Sequence, residues 1–288
     1  MKLVNVEGRA AVFDGTGYTD LQRGSEGRFG PDPMDALEEV EAIRSTQLAV
    51  APVEVDGGLL PPVPRPSKIL GAGINYYGHL REAGFDPPDQ PVFFAKLPSA
   101  LTGPTGEIEL PNGRTQVDWE AELVLVMGGR ARCVSEADAL SYVAGVTVGQ
   151  DISDREEQFR SLRQFTMGKS FDTYAPVGPA LVTLDEIDDL NDLRIRTWLD
   201  GELVQDGATS DWIFPAERLI SWASHVCTLE PGDLIFTGTP SGVGYIRTPA
   251  RFLRPGMLLE TEIEGVGKMA NKCVVRPGGH GRSIEAPV

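Results

Sequence analysis

Cysteine and histidine are scarce in this chain. Cys133, Cys227 and Cys273 are odd in number and far apart in 288 residues. They fit neither a disulfide framework nor a zinc spacing, which points to a reducing cytoplasm. His79, His225 and His280 show no paired metal-ligand spacing, so a bound metal would be held by oxygen. Long apolar runs are missing too: none approaches the roughly 20 residues that span a bilayer. The charged start, Met1-Lys2-Leu3-Val4-Asn5-Val6-Glu7, predicts no signal peptide. Basic residues are outnumbered, 26 Lys and Arg against 42 Asp and Glu, for a net charge of −16. This argues against nucleic acid or an anionic membrane as partner, since both need a basic patch. The plain use of such acidity is solubility.

What is present suits a globular protein, with 41% apolar and 24% charged residues, enough for one large core or one core plus a small appended domain. Leu3–Val6 and Arg9–Phe13 read as strands around a turn at Glu7-Gly8, and Pro33 to Ile43 has helical spacing. Four prolines then fall within residues 61–66; they can neither pair in a sheet nor continue a helix, so 59–66 reads as a linker. The boundary placed there divides a small N-terminal α+β domain, 1–64, from a larger part, 65–288. The larger part opens with a strand over Lys68–Ile74 and continues through many short strands. Asp200-Gly201 marks a hairpin, and Pro231-Gly232 and Pro255-Gly256 mark further turns. Three helices are expected, over Ser135–Val143, from a capping box at Ser153 and Glu156, and over Pro215–Val226. The class is therefore mainly β (α+β) with peripheral helices.

The most informative segment runs from Val117 to Met127, an expected strand that is apolar except for Asp118, Glu120 and Glu122. Side chains alternate across a strand, so Glu120 and Glu122 leave the same face. Buried unpaired carboxylates are too costly to keep ionised, and a hard divalent cation between them is the simplest remedy. The strand Tyr142–Val148 ends in Gly149-Gln150-Asp151, which brings Asp151 into reach if the two strands are neighbours. Three carboxylates and waters suit Mg²⁺. A solvated acidic face is the competing reading of the same pair.

Four motifs, in order, carry a resemblance. They are Asn75-Tyr76-Tyr77-Gly78-His79-Leu80-Arg81-Glu82; Asp118-Trp119-Glu120-Ala121-Glu122-Leu123; Asp151, Arg155 and Gln158 with Gly168-Lys169-Ser170-Phe171-Asp172; and Thr237-Gly238-Thr239-Pro240-Ser241-Gly242-Val243-Gly244. Over residues 65 to 275 the chain resembles the fumarylacetoacetate hydrolase family. The resemblance implies a mixed β-roll or β-sandwich fold, Mg²⁺ or Mn²⁺ on Glu120, Glu122 and Asp151, a homodimer, and a small 2-oxo or 1,3-diketo acid as substrate. The larger eukaryotic members carry a further aspartate ligand near the position of Ala72. Its absence resembles the shorter, three-ligand branch, whose activities range over hydrolysis, decarboxylation and isomerisation.

Roles follow from that resemblance and from charge. Lys169 and Arg155 are the cations that would admit an anionic substrate, with Lys169 stabilising developing oxyanion charge. Arg155, Gln158, Thr239 and Tyr76 are the expected substrate contacts. His79 and Glu82, three apart, form an acid–base dyad on a lid segment between Gly78 and Gly84. The first expectation is hydrolysis of a C–C bond in an acylpyruvate, fumarylpyruvate or 3-deoxy-diketo sugar acid, through an enolate that the divalent ion stabilises, with the dyad activating water. Oxaloacetate decarboxylation and dienedioate isomerisation on the same site are the alternatives. A non-catalytic binding protein of the same fold is a remote one.

Overall fold

The computed structural model describes residues 1–160 and 164–276; His280 lies outside them. The N-terminal part is a meander of β1 (Lys2–Val6), β2 (Arg9–Phe13) and β3 (Tyr18–Asp20). Glu7 and Gly8 turn the first hairpin at φ 52° and 87°, the left-handed pair that a tight two-residue turn demands. The rest of the chain supplies β4 (Ile69–Gly73), β5 (Val92–Lys96), β6 (Ala121–Met127), β7 (Val143–Gln150) and β8 (Ala175–Val182). After these come β9 (Arg194–Leu199), β10 (Glu202–Ala208), β11 (Leu234–Phe236), β12 (Leu258–Ile263) and β13 (Gly267–Val275). Three helices bear on the site and its surroundings: α1 (Tyr77–Ala83), α2 (Arg155–Arg160) and α3 (Ala216–Val226).

The protein is mainly β, as expected, and its sheets are mixed. Among the described residues the large sheet runs β3-β2-β1-β8-β7-β6-β11-β4-β5, with only β11 and β4 parallel along that path. A second sheet runs β10-β9-β12-β13 and ends on Ile108–Leu110. Strand β1 pairs with β8, Leu3 opposite Leu181, so the large sheet continues across the proline-rich stretch. Leu59 and Leu60, which precede those prolines, pair with Val6 and Asn5. The unpaired linker therefore begins two residues later than the sequence suggests.

The large sheet is covered on both faces. Ala121, Leu123, Leu125 and Met127 of β6 point into one core, shared with Ala216 and Ile220 of α3. Val124 and Val126 point into the other, shared with Phe236 and Ile69. Strand β6 is buried along its whole length, which is why it reads as a nearly continuous apolar run. Glu122 has the parity of Val124 and Val126 and stands at the end of that face.

Four local expectations are corrected. The strand 117–127 is interrupted: Val117–Asp118 pairs with Ser153–Asp154, and β6 starts only at Ala121. Side chains take the intervening N–H groups. Asp118 Oδ1 accepts from Trp119, Gln150 Oε1 from Glu120 and Gln205 Oε1 from Ala121. The expected capping box at Ser153 moves on by one residue, because Ser153 pairs in the small ladder and Asp154 Oδ1 takes the Glu157 N–H at 2.9 Å. The helix over Pro33–Ile43 breaks at Glu39 into Pro33–Glu38 and Val40–Arg44, and Ser135–Val143 is a 3₁₀ helix, Glu136–Tyr142, on a Ser135 cap.

Candidate metal and acid–base site

Strands β6 and β7 are antiparallel neighbours, with Ala121 opposite Gln150. The ladder gains one rung beyond the strands, where the Asp151 N–H donates to the Glu120 carbonyl at 2.9 Å. That rung places Asp151 beside Glu120, and the two-residue spacing brings Glu122 to the same side. Oxygens of Glu120, Glu122 and Asp151 lie within 4.8 Å of one another, and all three residues are buried. An all-oxygen set of three carboxylates fits a hard divalent ion such as Mg²⁺ or Mn²⁺.

The electrostatics of the cage give a second reason for the fit. Lys169 Nζ donates to Glu120 Oε2 at 2.9 Å, to Ser153 Oγ at 2.9 Å and to Asp151 Oδ2. Arg155 Nη2 donates to Glu120 Oε1 at 2.5 Å and to Asp118 Oδ2 at 2.7 Å. Burial alone would raise Glu120, but the Lys169 and Arg155 charges outweigh it and hold the carboxyl below the usual range. Glu122 goes the other way. Burial first, then the charges of Asp151 and Glu120, push it well above the usual carboxylate range, while its Oε2 accepts the Gly238 N–H at 2.6 Å. A divalent cation would supply the missing partner charge.

The cage opens into a cavity of about 520 Å³ lined by Glu120, Glu122, Arg155, Gln158, Lys169 and Thr239, with His79 from α1 and a set of aromatic rings. Arg155 Nη1 donates to Gln158 Oε1 at 2.9 Å. Thr239 Oγ1 accepts from Gln205 Nε2 at 2.9 Å. His79 Nδ1 meets Glu82 Oε1 at 2.8 Å, so the dyad read from i,i+3 spacing on α1 is formed. Glu82 also accepts the Gly242 N–H at 3.0 and 3.1 Å, which seats α1 on the loop after β11. Tyr76 lies behind the cavity lining, where burial first and then the Glu122 charge raise its hydroxyl well above the usual phenol range. It is fully buried, edge-on to Trp212 at 6.4 Å, and not among the residues that line the cavity.

Four contributors escaped the sequence reading. Lys96, at the end of β5, is 1% exposed, and its Nζ donates to Asp151 Oδ1 at 2.5 Å and to the carbonyl of Lys169. Nothing in Phe-Phe-Ala-Lys-Leu-Pro marks a lysine as buried, because its partners are 55 and 73 residues away. Asp118 binds Arg155 and also accepts the N–H groups of Gly244 and Tyr245 at 2.7 and 3.0 Å. Gln150 and Gln205 hold the backbone of Glu120 and Ala121. A usable signal existed for Asp118, a charge beside two others in an apolar segment.

An open, mixed-sheet protein whose cavity joins a carboxylate cage to a lysine and a histidine–glutamate pair has the parts of a metal-dependent enzyme. Residues 68–274 match the fumarylacetoacetate (FAA) hydrolase C-terminal family, and the chain belongs to it. It is 44% identical over 239 residues to the bovine (Bos taurus) "Oxaloacetate tautomerase FAHD2B, mitochondrial", covering 83% of this chain and 76% of that one. It is 42% identical over 246 residues to the human (Homo sapiens) FAHD2A counterpart, covering 83% and 78%. Among solved structures, a putative HpcE protein from Mycobacterium smegmatis superposes with a TM-score of 0.90 at 44% identity, covering 96% of this chain and 99% of that one. Maleylpyruvate hydrolase from Sphingobium sp. SYK-6 in complex with manganese (II) ion and pyruvate superposes with a TM-score of 0.78 at 31% identity, covering 96% and 100%.

Two outcomes are predicted. Replacing Lys96 by Met strands Asp151 Oδ1 and the Lys169 carbonyl in the interior, so stability in urea should fall by about 3 kcal/mol or more; an unchanged midpoint would show that the buried pair contributes nothing. For Glu122 the folded value lies above the unfolded one. Its contribution to the metal-free protein is therefore complete below the unfolded carboxylate value and disappears as pH rises through the raised folded value. A divalent ion binds the deprotonated form, so the Tm gain on adding Mg²⁺ should grow with pH across that window. Glu122→Gln should be more stable than wild type without metal at the alkaline end, and should lose the Mg²⁺ response. A pH-independent Mg²⁺ effect in the wild type would remove Glu122 from the ligand set.

Proposed function

We propose that this protein catalyses divalent-metal-dependent enolisation of a 2-oxo acid, with keto–enol tautomerisation as the turnover reaction. The observation that carries the reading is His79, held by Glu82 on the wall of the cavity whose floor is the carboxylate cage. The bovine and human relatives are named as oxaloacetate tautomerases, which supports proton transfer over bond cleavage.

A divalent ion on Glu120, Glu122 and Asp151 would supply Lewis-acid polarisation and a template for the 2-oxo acid. The protein's own groups do the rest. Glu82 on Nδ1 leaves Nε2 of His79 free to take a proton from C3 of the keto form. The C–H electron pair becomes the C2–C3 double bond, and the carbonyl π pair moves onto the 2-oxygen. Lys169 stabilises that developing charge. His79 then returns a proton to the oxygen, and the reverse sequence restores the ketone. Arg155 and Gln158 orient the substrate carboxylate, while the aromatic walls limit water.

Hydrolysis of an acylpyruvate is the second reading, since the same imidazole can take its proton from water attacking a distal carbonyl. The likeness to a maleylpyruvate hydrolase favours it. Decarboxylation of oxaloacetate would need Lys169 and the ion but not the dyad. For this chain we keep the cytoplasm as the proposed compartment, on three cysteines that are free, although the bovine and human relatives are named as mitochondrial. Among the described residues no helix is long and apolar enough to cross a membrane.

With Mg²⁺ or Mn²⁺ present, conversion of enol to keto oxaloacetate should be fast, and EDTA should abolish it. His79→Ala should lower that rate by roughly 10²–10⁴-fold while leaving Mn²⁺ affinity, read by electron paramagnetic resonance, unchanged. Decarboxylation of oxaloacetate should fall much less, and Lys169→Met should damage every activity. Undiminished tautomerisation in His79→Ala would discard the reading. Cleavage of acetylpyruvate by the wild type at a higher kcat/KM would put hydrolysis first. We also propose a homodimer, as the family resemblance implies, joined mainly through the β-rich part. Sedimentation equilibrium at micromolar concentration should return twice the chain mass, and a monomer mass would remove that proposal.

A further inference from the structure

The cavity has two chemically different ends. The carboxylate cage forms the floor, where Glu120, Glu122 and Lys169 are buried. The mouth carries Phe85, Phe159 and Tyr245, exposed by 49%, 43% and 40%, and all three line the cavity. Between the ends, the Phe94 ring lies 4.7 Å from Lys169 Nζ and stands edge-on to Phe165 at 6.1 Å. Phe159 and Tyr245 form a second pair at 5.5 Å. A substrate leaving the floor therefore passes along aromatic rings.

The positive groups are all engaged, and Arg155 also lies over the Tyr245 ring, 5.2 Å from its centroid. Among the described residues the lining cations are Arg155 and Lys169. Arg155 is bound by Asp118 and Glu120, and Lys169 by Glu120 and Asp151. His79 has its Nδ1 committed to Glu82. The 2-oxo acid head can draw on this cluster and on a divalent ion. Among the described residues the mouth offers no cation that is not already paired, so a second carboxylate at the far end of a dicarboxylate would lie against aromatic rings without an ion-pair partner. A four-carbon acid would also leave most of a cavity of about 520 Å³ unfilled, whereas an apolar group there would cover rings that water now touches.

We propose that the preferred substrate is a 2-oxo acid bearing a bulky apolar group, best an aryl group, beyond C3, in place of the second carboxylate of oxaloacetate. This rests on the enolisation reading for its head group, and on the ring-lined mouth for its tail.

Phenylpyruvate and oxaloacetate make a matched pair: the same 2-oxo acid head, with phenyl or carboxylate on C3. Their enol–keto conversion, followed by enol absorbance with Mg²⁺ present, should show kcat/KM for phenylpyruvate higher by about tenfold or more. Phe159→Arg, which sets a cation at the mouth, should move the ratio by about tenfold toward oxaloacetate. Equal or greater kcat/KM for oxaloacetate in the wild type would overturn the proposal and leave the enolisation reading in place. A second arm does not depend on turnover. Calorimetric titration of Mn²⁺-loaded His79→Ala should show phenylpyruvate binding more tightly than oxaloacetate. If the wild type converts neither acid yet phenylpyruvate binds more tightly here, enolisation fails and the tail preference stands. Tighter binding of oxaloacetate, or binding of neither, overturns the preference.

Discussion

A charge imbalance buried beneath the cavity organises this protein. Among the described residues, Asp118, Glu120, Glu122 and Asp151 form one cluster with Lys96, Arg155 and Lys169, and none of the seven is more than 7% exposed. Four carboxylates against three cations leave one negative charge too many for a low-dielectric interior. The excess falls on Glu122, whose oxygen is met by a backbone N–H instead of a side-chain cation. Either a proton or a divalent ion can settle it. With the ion the cluster becomes positive by one, which suits an incoming acid anion. The lysines and the arginine thus do two things together: they make the carboxylates tolerable, and they leave one acidic group free to respond to a metal.

The loop that follows β11 ties this cluster to α1. Its N–H groups serve three acidic side chains from two parts of the chain: Gly238 serves Glu122, Gly242 serves Glu82, and Gly244 and Tyr245 serve Asp118. Closely spaced glycines allow this. Gly238 and Gly242 sit at φ 93° and 103°, a backbone state that side chains other than glycine rarely adopt, and a Cβ on Gly244 would lie 2.0 Å from the Arg251 carbonyl. Because Glu82 takes both the His79 ring and the Gly242 N–H, the position of the imidazole is coupled to the same loop that steadies a cage carboxylate. Helix α1 and the cage are therefore held in one hydrogen-bonded frame.

Local physics made much of this legible in advance. Period-two spacing put Glu120 and Glu122 on one side, i,i+3 spacing joined His79 to Glu82, and a strand end presented Asp151; each rule acts over a few residues. The mainly β class followed from turn signals such as Asp200-Gly201. The same rules misplaced the start of β6 and the cap of α2, because Gln150, Gln205 and Asp118 bind backbone groups that a sequence pattern assigns to the ladder.

The sequence by itself thus determined the class of fold and the family, and set the spacings that let Glu120 meet Glu122 and His79 meet Glu82. Only the tertiary structure decided which charges share an interior. Lys96 reaches Asp151 across 55 residues, and Asp118 reaches Gly244 across 126. It also decided that Tyr76 is buried beneath the cavity lining while Phe159 and Tyr245 pair at its mouth. Desolvation and pairing depend on which groups meet in space, and the order of strands in the large sheet sets those meetings.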